Sequence, residues 1–131
     1  MYKSILVIVD HDCDQHAAMQ KARSVAFSDD VSISVVAFVQ PSAGDAVDTT
    51  GEKNIDMQHA IDSEFVGIKN VSYDVVATHN IPAFCKVFAL ENDIDLVIKT
   101  GNRTESLFHT PLDYQLVREL KCPVMISTLQ K

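Results

Sequence analysis

Basic residues are scarce in this chain, where 11 Lys and Arg stand against 18 Asp and Glu for a formal charge of −7. Such a surface disfavours phosphate backbones and anionic lipid, which argues against nonspecific binding to DNA, RNA or membranes. Cysteine is scarce too. Cys13, Cys85 and Cys122 are odd in number and lack CxxC spacing, so they read as reduced cytosolic thiols rather than a disulfide framework. No apolar run approaches the roughly 20 residues that span a bilayer. Met1 to Ile5 leads straight into a strand-like pattern. It lacks the basic segment, apolar stretch and cleavage site of a leader, so no signal peptide is expected. Repeats and low-complexity tracts are also missing. What remains is ordinary: 131 residues, 47% hydrophobic and 22% charged. That suits one domain, residues 1–131, with its own core.

The apolar pattern changes period repeatedly along the chain. Ser4 to Asp10 (SILVIVD) is a buried-strand run ending on an acid. Asp14 to Phe27 carries Ala18, Ala22 and Val25 at helical spacing, with Asp12 or Asp14 as N-cap. Val31 to Val39 is a second strand, Gln40 to Asn54 a long loop, Ile55 to Ile68 a helix and Val71 to Thr78 a third strand. The next helix begins near Asn80 and Pro82, with Phe84, Val87 and Phe88 on its apolar face. Leu96 to Lys99 is a fourth strand, and Gly101 to His109 a loop. The last helix opens on Thr110-Pro111-Leu112-Asp113, with Thr110 as cap and Asp113 closing a capping box. Leu112, Leu116 and Leu120 form its stripe, with Val117 beside it, and Pro123 to Thr128 is the final strand.

Strands alternating with helices imply right-handed crossovers and a five-stranded parallel sheet with helices on both faces. Continuous apolar strands such as ILVIV agree with burial on both sides. Ligands of such sheets sit beyond the carboxyl ends of the strands. The residues to watch are therefore Asp10-His11-Asp12, Gln40-Pro41, His79-Asn80 and Lys99-Thr100-Gly101-Asn102. A response-regulator receiver needs a phospho-acceptor Asp after the third strand and a Lys after the fifth. Here those ends are Thr78-His79 and Ser127-Thr128. A dinucleotide-binding Rossmann domain needs glycines after the first strand, where this chain has Asp10-His11-Asp12-Cys13-Asp14. Both readings fail on the chemistry.

A third set of residues covers almost the whole chain. The opening strand from Tyr2 to Asp10, the DLVIK strand from Asp95 to Lys99 and the CPV strand from Cys122 resemble the universal stress protein family. His79-Asn80-Ile81-Pro82 and Thr110-Pro111-Leu112-Asp113 are similar to its E-type branch, whose members usually carry two such domains in tandem. The resemblance implies a Rossmann-like sheet of order 3-2-1-4-5, of the adenine nucleotide alpha hydrolase type. It also implies a cytoplasmic stress-response homodimer that acts by binding and not as an enzyme. Val124, Met125 and Ile126 would form the dimer edge.

ATP-binding members of the family hold phosphates with a GxxG turn, a later Gly-Ser or Gly-Thr pair and the start of the last helix. Aligned on Pro123, that pair falls on Thr110 and Pro111. Aligned on Asp95, the GxxG glycines fall on Thr100 and Arg103, and a slide of one residue recovers Gly101 but puts Thr104 second. Asp10, near the base and ribose in the family, is retained. Asp113 and Glu105 disfavour phosphate, while Lys99 and Arg103 partly offset them. The resemblance thus implies a degenerate site around Asp10, His79, Lys99, Gly101, Arg103 and Thr110, with no cofactor expected and ATP disfavoured. The partner would be an unknown protein or small molecule. The alternative is an adenine-nucleotide-binding stress protein with an atypical phosphate loop.

Two further groups have two readings each. Asp10, His11, Asp12, Asp14 and His16 are of the type that holds a hard divalent cation. Acids at the positive end of a capped helix explain them equally well. His79 stands where a ligand-facing residue would lie, or it caps the following helix. Cys85 and Cys122 read as packed thiols, and no Ser-His-Asp or Cys-His arrangement is legible.

Overall fold

The computed structural model describes residues 2–9, 15–26, 30–39, 52–100 and 111–127. Strands and helices alternate along them: β1 (Ser4–Val9), α1 (Gln15–Val25), β2 (Ser32–Val39), α2 (Glu52–Glu64), β3 (Asn70–Ala77), α3 (Ile81–Glu91), β4 (Leu96–Thr100), α4 (Pro111–Glu119) and β5 (Val124–Ser127). The strands make one parallel sheet in the expected order β3-β2-β1-β4-β5. The first strand is therefore central. Its register places Ile5 to Ile8 beside Leu96 to Lys99 on one side, and Ser4 to Val9 beside Ser32 to Ala37 on the other.

Because side chains alternate across a strand, β1 feeds two cores. Ile5, Val7 and Val9 pack with Ala18, Met19 and Ala22 of α1 and with Ile61 of α2. Leu6 and Ile8 pack with Cys85 of α3 and Leu116 of α4 on the opposite face. This makes three layers. The edge strand β3 behaves differently, since its exposure alternates from Asn70 to Val75 and none of its residues is fully buried. Ser32 and Ser34 of β2, Asn70 and Ser72 of β3, and Ser4 line a shallow depression of about 470 Å³ on the sheet. They share the parity of Val36 and Val76, which face α3 and α4, so that quadrant of the sheet is polar and open.

Local chemistry sets the element ends. Asn80 caps α3 by accepting the Ala83 N–H at 3.1 Å, while Thr78 Oγ1 accepts the Asn80 N–H at 3.0 Å. Pro82 stands in the first turn, where no intrahelical N–H is required. At the other end Asp93 takes a φ of 51°, a left-handed conformation that Asp tolerates better than most residues. The Ile94 N–H then donates to Ala89 O at 3.0 Å, which closes the helix. The Asp95 carboxylate accepts from the Lys3 and Ser4 N–H groups at 2.9 and 3.1 Å, tying the foot of β4 to β1.

Three expectations need correction. The helix placed over Ile55 to Ile68 runs from Glu52 to Glu64, so the end of the expected Gln40–Asn54 loop is helical. Val87 does not share the apolar face of Phe84 and Phe88, being 53% exposed, and Val117 of α4 is 56% exposed. Val87 sits about 160° around its helix from the buried Cys85, and Val117 about 100° around its helix from the buried Leu116. Of the expected α4 stripe, Leu116 and Leu120 are buried.

Candidate ligand site at the carboxyl edge of the sheet

The chain steps from β1 to β2 to β3 in one direction, then returns to β4 and β5 on the other side of β1. The switch point therefore lies between the carboxyl ends of β1 and β4, where this class of sheet opens a crevice. Val9 ends β1 and Thr100 ends β4. The next residues, Asp10 and Gly101, lie outside the described residues, as do Arg103 and Thr110 and the whole Asp10–Asp14 run.

Lys99 is described. It stands on β4 between Ile8 and Ile126 and has no exposed surface. A lysine head buried inside a sheet costs several kcal/mol, about as much as any single residue contributes, unless a partner meets it. Lys99 is not without a partner. It is thus built into the fold at the lip of the switch point, and its alternation with Ile98 puts it on the α3–α4 face.

His79 is exposed in the turn between β3 and α3. Capping is done by Asn80 and not by His79. Strands β2 and β1 separate β3 from β4, so at about 4.8 Å per strand His79 stands roughly 14 Å from Lys99 along the sheet edge. The two do not form one contact cluster. α4 opens at Pro111, and proline contributes no N–H to the helix terminus.

The thiols are packed groups. Cys85 is fully buried in α3 and its pKa is pushed up to about 12, by burial first and by nearby Cys122 second. Cys122 is half-buried and raised mainly by burial, with Asp95 adding and a backbone hydrogen bond opposing. Both are poor nucleophiles at neutral pH. Among the described residues no group of three or more His, Cys, Asp or Glu converges as a metal site. None of the described helices is long and apolar enough to cross a membrane.

Val124, Met125 and Ile126 lie on β5, half-buried, at one edge of the sheet. Sequence reasoning missed the complete burial of Lys99 and the Asp95 clip. The first was hinted at by a lone cation ending an otherwise apolar strand.

No family model matches the sequence, and no curated protein matches it significantly. Solved structures do. UspA, a universal stress protein from Lactobacillus plantarum, is 17% identical with a TM-score of 0.74, over 96% of this chain and 97% of that one. A universal stress protein in complex with cAMP is 12% identical at a TM-score of 0.73, over 98% of both chains. A third, the universal stress protein from Archaeoglobus fulgidus in complex with dAMP, is 17% identical at 0.61, over 96% and 98%. These likenesses span the full sheet and both helical layers, and the chain has the universal stress protein fold.

Proposed function

We propose that this chain is a universal-stress-type protein, nearest the E-type branch by its HNIP and TPLD segments, that acts in the cytoplasm by binding as a homodimer. Its nucleotide site is too degenerate to hold ATP. One observation carries this reading: α4 begins at Pro111, where a phosphate-binding helix would present a backbone N–H. Each charge-assisted hydrogen bond forgone is worth on the order of 1.5–3 kcal/mol. Thr110 in place of glycine adds a Cβ where backbone would approach phosphate. Burial of Lys99 inside the sheet also limits its use as a free cation. Asp10, His79, Gly101 and Arg103 remain the proposed surroundings of whatever small molecule or partner is recognised.

Calorimetric titration with ATP and magnesium is the test. Undetectable heat at millimolar ATP is expected. Micromolar binding that Asp10→Ala abolishes would overturn the reading. A second reading draws on the cAMP and dAMP complexes of the similar structures. A monophosphate asks less of an atypical loop than a triphosphate does. Binding of AMP or cAMP with no binding of ATP would establish that alternative.

A further inference from the structure

A cavity of about 280 Å³ opens between the second half of α3 and the turn joining α4 to β5. It lies beside Asp95 and Pro123, at the amino ends of β4 and β5. That is the opposite edge of the sheet from the switch point. Its walls are Ala89, Leu90, Ile94, Leu120, Cys122 and Pro123. The left-handed Asp93 turn and the Ile94–Ala89 hydrogen bond hold two of these walls in place. Leu90 is 63% exposed at the mouth, so an apolar occupant would remove it from water. A volume near the lower limit of ligand pockets calls for a small molecule.

Four charged side chains complete the lining: Lys86, Asp95, Glu119 and Lys121. The acids differ in how far they are held by other groups. Asp95 accepts the Lys3 and Ser4 N–H groups, and Glu119 faces Arg118 Nε at 3.8 Å. Lys86 and Lys121 form no ion pair among the described residues. The cavity therefore combines apolar walls with two lysines that form no ion pair among the described residues, on a chain whose net charge is −7.

We propose that this cavity binds a small amphipathic carboxylate, its apolar body between Leu90, Leu120 and Pro123 and its carboxylate at Lys86 and Lys121. The site is separate from the nucleotide crevice and does not depend on whether that crevice works.

The test is a titration of 15N-labelled protein with sodium octanoate at neutral pH, following the amides of Ala89, Leu90, Leu120 and Cys122. Saturable shifts at these amides are expected, unchanged in Asp10→Ala. The double variant Lys86→Glu/Lys121→Glu should weaken octanoate about tenfold or more, since two partly exposed ion pairs are lost. It should leave the neutral 1-octanol nearly unaffected. Leu90→Asp should weaken both. All three positions are exposed, and a thermal melt confirms that the variants fold. Shifts absent up to the solubility of octanoate would overturn the proposal. So would octanoate binding that is indifferent to the lysine variants. Shifts that follow protein concentration rather than octanoate would also overturn it, by showing that a second copy covers this face.

Discussion

The Cys85 thiol has no exposed surface and sits among Leu6, Ile8 and Leu116. Its pKa, pushed up to about 12, means the folded chain keeps a proton that the unfolded chain releases near 9.0. The stability it contributes is therefore complete below about pH 9 and is lost as pH rises through about 12. The urea midpoint of the native sequence should fall more steeply between about pH 8 and 10 than that of Cys85→Ala, measured over the same range. Equal slopes would show that the thiol is not shielded as described. Residues of this kind were legible only in outline. Cys85 is recognisable as packed, yet Val87 reads as part of an apolar face and Val117 as beside one, and both are exposed. The cause is geometric: a step of one or two residues along a helix turns the facing by about 100° or about 160°, enough to exchange core for solvent.

Helix α3 shows what local chemistry fixes by itself. Asn80 and Pro82 announce its start in the sequence, and Asn80 Oδ1 does accept the Ala83 N–H at 3.1 Å. Asn80→Ala should lower stability by about 1 kcal/mol in a chemical denaturation series. Asn80→Asp should retain most of it, and a loss equal to that of alanine would count against the cap. Helix α2 shows the complementary weakness. Its first turn, Glu52-Lys53-Asn54, contains no apolar residue, so a reading by hydrophobic period registers the helix only from Ile55. The cavity was not legible at all. Its walls come from α3, the Asp93 turn and the α4–β5 turn, segments that only tertiary packing brings together.

For the whole molecule, strand order is the informative case. The alternation of period announces a parallel α/β sheet, but orders 2-1-3-4-5 and 3-2-1-4-5 have the same local patterns. Nothing in the periodicity distinguishes them, and resemblance supplied the order that the sheet has. The same order leaves β5 with β4 as its only strand neighbour among the described residues. Val124, Met125 and Ile126 make that edge apolar and uncharged. An apolar edge left bare invites uncontrolled pairing, which supports the proposed homodimer. Sedimentation at micromolar concentration should give a dimer, and Met125→Lys should shift it towards monomer. A native monomer would sink the proposal.

The Asp95 clip has a consequence in time. It joins residues 92 and 91 positions apart in the chain, and β1 gains its second neighbour only when β4 arrives. At about 5–20 residues per second of synthesis, the apolar SILVIV segment waits roughly 5–18 s on the ribosome with one side unpaired. Pairings so distant in sequence also form slowly once the chain is released. The strand that ends up most protected in the finished protein is thus the one exposed longest while the protein is being made.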